Sequence, residues 1–213
     1  MARGFFTQTR FPKLWLWAQH LVGGTKDKQK LALRYYSGER RILEIGCSVG
    51  NISEAFIGMP NVEFTGIDVD HIALELARKR FSGHNNFRFL DSPLCDLADA
   101  GELFDYVLFA GMLHHVDDVE AASLISDALK ITAPGGRLVL SEPEALRPED
   151  SLIFSLFYRL EQGRYLRSRC ALRTLVDRSG ATVEICEDHF VTPGIVPWPE
   201  VARFTVIVAH KDT

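Results

Sequence analysis

Hydrophobic and polar positions along the chain predict alternating strands and helices, and residues 41–51 set the pattern. Ile42, Leu43 and Ile45 form a short apolar run of the kind that a strand buried on both faces needs. The run stops at Gly46, and Gly50 follows four residues later. Asn51, Ile52, Ala55 and Phe56 then begin a face at helical spacing, with Ser53 and Glu54 on the solvent side, which predicts a helix. Glycines lack a Cβ, so the expected strand–turn–helix unit can turn sharply and let a ligand lie against it. Unpaired N–H groups at the helix start would point at that ligand.

The alternation continues downstream. Residues 62–67 read as a second buried strand ending at Asp68, and Asp70 is placed to cap a helix carrying Ile72, Ala73, Leu76 and Ala77. Residues 86–90 predict a third strand ending at Asp91, and residues 104–109 a fourth, followed by A-G-M-L-H-H-V-D-D. Asp117 or Asp118 caps the next helix, with Leu124, Ile125, Ala128 and Leu129 on one face. Pro134-Gly135-Gly136 should stop it, and residues 137–140 supply a fifth strand ending at Ser141-Glu142-Pro143. Such alternation predicts an α/β, doubly wound, Rossmann-like parallel sheet with helices on both faces. After Pro148 an apolar helix over 151–160, a basic segment, a helix over 171–179 and closing strands over 183–190 and 203–209 complete the chain. The 192–199 loop between those strands is too rich in proline for a strand interior.

Ahead of the first strand, residues 1–38 read as an N-terminal helical lead-in. Phe11, Leu14, Trp15, Ala18, Leu21 and Val22 form one apolar stripe. It suits a helix packed on the core edge, a lid over an apolar substrate, or peripheral membrane contact. The expected organisation is one domain over 1–213: a lead-in or cap (1–38) and a core (39–213) with substrate-side helices over 144–180.

Composition narrows the classes. With 213 residues, 46% apolar and 24% charged, the chain is ordinary for a globular protein. A formal charge of −4 argues against a nucleic-acid partner. Cys47, Cys95, Cys170 and Cys186 form no C-x-x-C pair, so reduced thiols are expected rather than a zinc site or a disulfide framework. Arg3, Arg10 and Lys13 ahead of an apolar segment faintly mimic a signal peptide, but Gln19 and His20 interrupt it. A cytoplasmic protein without a transmembrane segment is the expectation, since no apolar run reaches the ~18 residues that a span needs.

Candidate chemistry sits at the strand ends, where ligands of a doubly wound sheet bind. Glu44 flanks the first turn, Asp68 follows the second strand and Asp91 the third. Asp68 lies 24 residues beyond Glu44, about where a carboxylate meets the ribose hydroxyls of a nucleotide.

Together these residues resemble the class I S-adenosylmethionine-dependent methyltransferases over roughly residues 41–140. The family's E/D-x-G-x-G-x-G motif is matched by Glu44-Ile45-Gly46-Cys47-Ser48-Val49-Gly50, with Ser48 in place of the central glycine. F-D-Y-V-L-F-A-G-M-L-H-H-V and A-P-G-G-R-L-V-L resemble the fourth- and fifth-strand motifs. The resemblance implies a seven-stranded sheet whose last strand is antiparallel, with S-adenosyl-L-methionine as cofactor and S-adenosyl-L-homocysteine as product. It implies that the turn of Gly46, Cys47, Ser48 and Gly50 faces the methionine end, and that Glu44 holds that turn or binds the ammonium group through water. Asp68 would take the ribose hydroxyls, Val69 would lie against the adenine, Asp91 would accept from its amino group with Ser92 in support, and Ala110 would line the sulfonium side.

In-line methyl transfer draws on proximity, and an oxygen or nitrogen nucleophile must shed or lack a proton, so a base helps. His114 and His115 stand where a base could act, as could, more weakly, His189. No His/Asp/Glu trio has metal-ligand spacing, so no metal is expected. Arg159, Arg164, Arg167 and Arg169, with Tyr158 and Tyr165, suit either an acceptor's phosphate or carboxylate or plain surface. The expected acceptor is a small or lipid-like molecule. Two alternatives stay open. A nicotinamide-dependent oxidoreductase would want G-x-G-x-x-G and a Tyr-x-x-x-Lys pair, neither of which is present. A protein binding S-adenosylmethionine or S-adenosylhomocysteine without methyl transfer is not excluded by any residue.

Overall fold

The computed structural model describes residues 25–152, 154, 155, 158, 163–192, 200 and 202–211. The expected apolar stripe of residues 11–22, Arg159 and the 193–199 loop with Trp198 lie outside them.

The chain order is α1 (Thr25–Arg34), β1 (Arg41–Ile45), β2 (Glu63–Ile67), α2 (His71–Arg80), β3 (Phe87–Leu90), α3 (Leu94–Asp99), β4 (Phe104–Ala110), α4 (Asp118–Ile131), β5 (Thr132–Pro143), α5 (Arg169–Arg178), β6 (Ala181–Val191) and β7 (Ala202–Lys211). The strands form one seven-stranded sheet in the order β3-β2-β1-β4-β5-β7-β6. β1 to β5 pair in parallel, and β7 runs antiparallel to both β5 and β6. The seven-stranded sheet with an antiparallel last strand is therefore as expected.

Strand alternation divides the core into two layers. Leu43, Val107, Phe109, Leu138, Leu140 and Ile207 face one side, packed with apolar residues of α3, α4 and α5. Ile42, Tyr106, Leu108, Val139 and Val208 face the other, against Ala32 of α1, Phe56, and Leu74 and Ala77 of α2. Each such side chain taken out of water stabilises the fold by about 1.5–3 kcal/mol before entropy is counted. The hydroxyl of Tyr106 donates to the carbonyl of Ala32 at 2.7 Å, which ties α1 to the centre of the sheet.

The caps follow the sequence. Asp70 accepts from the backbone of Ile72 and Ala73 to start α2, and Asp117, of the two candidates, accepts from Val119 and Glu120 to start α4.

Two local expectations are corrected. The helix after the glycine turn is a single 3-10 turn, Ser53–Phe56, and Ile57 after it is extended. Gly58, at φ +80, and Pro60 leave too few residues to repay helix nucleation, and no side chain caps the start. Pro134-Gly135-Gly136 does not precede β5 but lies inside it. The partners step from Phe104↔Thr132 to Tyr106↔Arg137, so the intervening residues form an irregularity in the strand.

Candidate functional site

The strand order places the acidic strand ends in a row: Asp91 after β3, Asp68 after β2, Glu44 on β1, then the turn that follows β4, and Glu142 near the end of β5. This is the carboxyl edge of the parallel sheet, where such folds bind ligands.

The turn after β1 is built largely from its own hydrogen bonds. The N–H groups of Gly46 and Cys47 both donate to the carbonyl of Ile67, at 2.8 and 3.0 Å, and Gly50 donates to the carbonyl of Cys47 at 2.9 Å. The Ser48 N–H donates to Asp68 Oδ2 at 2.7 Å, while Oδ1 of the same carboxylate accepts the Asp70 N–H at 2.9 Å. These N–H groups serve the turn rather than pointing outward as a helix start would. Both Asp68 oxygens keep a lone pair for a further donor such as a hydroxyl.

Three residues of this turn are left-handed: Gly46 at φ +77, Ser48 at +48 and Gly50 at +78. What lies against the two glycines is protein. A Cβ on Gly46 would sit 2.4 Å from Met112 Cγ, and one on Gly50 would sit 2.7 Å from the Phe81 ring.

Glu44 is 2% exposed and accepts a 2.5 Å hydrogen bond from the Ser53 hydroxyl. Burial pushes its carboxyl up to about 8; Ser53 opposes the shift and the Asp68 charge adds to it. Burial also raises Asp68, against the pull of the Asp70 and Ser48 N–H groups, and it raises the thiol of Cys47, which is buried behind the turn. Val69, just after Asp68, is 81% exposed. Asp91 is exposed with Ser92 half-buried beside it, and Ala110 ends β4 half-buried.

The two histidines separate. His114 is buried and His115 is exposed, their rings 4.1 Å apart. Nδ1 of His114 lies 2.9 Å from Glu142 Oε2, and the Glu142 carboxylate also accepts the N–H groups of Met112, Leu113 and His114 at 2.9, 3.0 and 3.3 Å. Burial by itself would raise the Glu142 carboxyl, but the His114 bond and charge and these N–H groups hold it below its ordinary value. A carboxylate only accepts, so His114 Nδ1 carries the hydrogen and, in the neutral ring, Nε2 keeps the lone pair.

A second segment closes over this ring. A Cβ on Gly163 would lie 2.0 Å from His114 Cδ2, and the Tyr165 N–H donates to the His114 carbonyl at 3.0 Å. Arg167 donates to the carbonyls of Leu113 and Val116, at 2.6 and 2.8 Å, and to Asp118 at 2.8 Å. Arg169 meets Asp188, which also binds Arg147. Arg167 and Arg169 are thus engaged within the fold rather than presented to an acceptor anion, while Arg164 is exposed. Tyr158 donates to the carbonyl of Arg203, and His189 meets Arg34 on α1, away from the Glu142 pair.

Sequence reasoning missed Glu142, Met112 and Gly163. Glu142 carried a legible signal, as one more acid at a strand end. Met112 and Gly163 carried none, because their importance lies in what they touch.

Residues 42–136 match a family model described as a methyltransferase domain. A carboxy-S-adenosyl-L-methionine synthase of Aeromonas hydrophila is 29% identical over 136 residues, 61% of this chain and 53% of the relative. An O-methyltransferase of Pyrenophora dematioidea is 27% identical over 157 residues, 70% and 57% respectively. The chain therefore spans little more than half the length of these curated relatives. The solved structure of mitomycin 7-O-methyltransferase superimposes with a TM-score of 0.71 at 19% identity, over 97% of this chain and 60% of that one, a likeness of fold. With the motif turn, the row of strand-end acids and this sheet order, the chain is similar over residues 42–136 to the methyltransferase-domain family, and its fold is one that methyltransferases share.

Proposed function

We propose that the chain transfers a methyl group from S-adenosyl-L-methionine to an oxygen, or alternatively a nitrogen, of a small-molecule or lipid-like acceptor. The observation that carries this reading is the His114–Glu142 pair, one strand away from the glycine turn and aimed by four hydrogen bonds to one carboxylate. The name O-methyltransferase on the relative from Pyrenophora dematioidea favours oxygen.

The residues present fit such a cofactor. Asp68 and Asp91 supply negative charge and diol-accepting oxygens along one edge, which suits a ligand carrying a cation and a ribose, while Glu44 lies buried against Ser53. When bound, the cofactor supplies a methyl group on a positively charged sulfur. Asp68 accepts the ribose hydroxyls, Val69 packs on the adenine, Asp91 accepts its amino group beside Ser92, and Ala110 lines the sulfonium side. Glu44 acts through Ser53 to hold the turn of Gly46, Cys47, Ser48 and Gly50. His114, rather than exposed His115, is the base of this reading, and the Glu142 charge would stabilise its imidazolium. Alignment of acceptor and sulfonium supplies the rest of the rate.

Among the described residues no helix is long and apolar enough to cross a membrane, and a cytoplasmic enzyme of one domain, with residues 144–180 over the acceptor, is part of this reading. Calorimetric titration with S-adenosylhomocysteine on the wild type and on Asp68→Ala tests the cofactor half, with a loss of about tenfold or more expected in the variant. Transfer of a labelled methyl group to phenolic and lipid hydroxyl acceptors, abolished in His114→Ala, tests the rest.

A second reading is binding of S-adenosylmethionine or its homocysteine product without methyl transfer. The relative from Aeromonas hydrophila favours it, being named for making a carboxylated cofactor. Cofactor binding without turnover on any acceptor would support it.

A further inference from the structure

His71 is the first residue of α2, directly after the Asp70 cap, and its Nδ1 lies 2.5 Å from Oδ2 of Asp91, across the gap between the ends of β2 and β3. Among the described residues no other donor reaches the Asp91 carboxylate. On either side of His71 in this stretch stand two large apolar residues turned to solvent, Val69 at 81% and Ile72 at 49% exposure. An apolar surface beside a polar edge is what a flat heteroaromatic base requires: the face packs and the edge is read by hydrogen bonds.

We infer that His71 is a positioning residue that orients the Asp91 carboxylate so that the site prefers adenine to a 6-oxo purine. The inference rests on the S-adenosylmethionine reading above. A carboxylate alone on a surface turns freely and hydrogen-bonds to water in many directions. Here the His71 N–H, on a side chain 75% exposed beside a carboxylate 40% exposed, occupies Oδ2 and leaves Oδ1 as the oxygen open to a second donor. An exocyclic amino group can donate to that oxygen, whereas the carbonyl of hypoxanthine at the same place would meet a negative charge with no hydrogen between them. A site that hydrogen-bonds a ligand's N–H discriminates against the analogue lacking that donor more strongly than an apolar pocket discriminates by size, and the effect is largest where the acceptor is buried. His71 thus acts on the choice of base through Asp91, without itself touching the base.

The test compares affinities for S-adenosylhomocysteine and for S-inosylhomocysteine, its hypoxanthine counterpart, by calorimetry on the wild type, His71→Ala, His71→Asn and Asp91→Asn. The wild type should prefer adenine by about tenfold or more, and His71→Ala should cut that preference at least about threefold with an unchanged melting temperature. His71→Asn, whose amide nitrogen can stand in for Nδ1, should restore part of it, and Asp91→Asn should lose it. A His71→Ala protein that binds both ligands with the wild-type ratio overturns the assignment and leaves the cofactor reading intact. A folded wild type that binds neither ligand overturns the cofactor reading, and the assignment with it.

Discussion

Nδ1 of His114 lies 2.9 Å from Oε2 of Glu142, and the same carboxylate holds the backbone of Met112, Leu113 and His114. One side chain on β5 therefore fixes both the imidazole and the turn that carries it. Glu142 binds its proton less readily in the folded state than in the unfolded one, so its contribution is present above the ordinary glutamate value of 4.5 and is lost as pH falls through the lowered folded value. Glu142→Gln should destabilise the protein by about 2–4 kcal/mol at neutral pH, because an amide cannot accept from all four donors. The gap from wild type should narrow towards about pH 4, read by urea unfolding at both pH values.

Glu44 has the opposite sign. Its folded carboxyl, at about 8, binds a proton more readily than the unfolded one, at 4.5. Its protonated form is fully accommodated below the unfolded value, and stability falls as pH rises through the window between the two. Glu44→Gln keeps the shape and removes the titration. The variant should match wild type at about pH 5 and exceed it above pH 8, by on the order of a few kcal/mol, in thermal unfolding across that range.

Ser48 stands at φ +48 where the family motif has glycine. A side chain in the left-handed region costs about 1–2 kcal/mol, part of which glycine gives back through its freer unfolded chain. Ser48→Gly should therefore stabilise the protein by about 0.5–1 kcal/mol, seen as a rise in Tm, while the N–H bond to Asp68 is kept. A fall in Tm would show that the serine side chain supplies a contact worth more than the backbone strain.

Gly46 makes room for Met112, whose Cγ would lie 2.4 Å from an added Cβ. Gly46→Ala should cost about 2–3 kcal/mol, combining this overlap with the strain of a positive φ. Met112→Ala should recover the overlap part but not the strain. A double-mutant cycle should thus show coupling of about 1 kcal/mol or more, and additive losses would place the cost in the backbone alone.

Much of this architecture was legible. The strands are short and buried on both faces, so their apolar runs stand out, and Asp70 and Asp117 announce their helices by capping them. The glycine turn and the acids Glu44, Asp68 and Asp91 follow from the strand ends they occupy. Less legible was the fate of residues 51–58, where three apolar positions at helical spacing, Ile52, Ala55 and Phe56, yield one 3-10 turn. Periodicity registers which face is apolar, not whether the segment is long enough to repay nucleation before Gly58. The reason for Gly46 and Gly50 was equally hidden, since φ and the lack of a Cβ are local but Met112 and Phe81 come from elsewhere in the chain.

The sequence by itself determined the class of fold, the edge of the sheet where the candidate site lies, and the acids on that edge. All three depend on short-range pattern, because strand period, turn residues and the polar residue that ends each strand are neighbours in the chain. Only the tertiary structure decided which histidine is held. His114 and His115 are adjacent and alike in sequence, and they differ because Glu142, 28 residues beyond His114, and Gly163, 49 residues beyond it, meet the first and not the second. Tertiary contact likewise turned Arg167 from a candidate anion binder into the clamp on the His114 turn, and brought His71 to Asp91. Such pairings depend on which strands lie side by side, and local pattern carries no record of that.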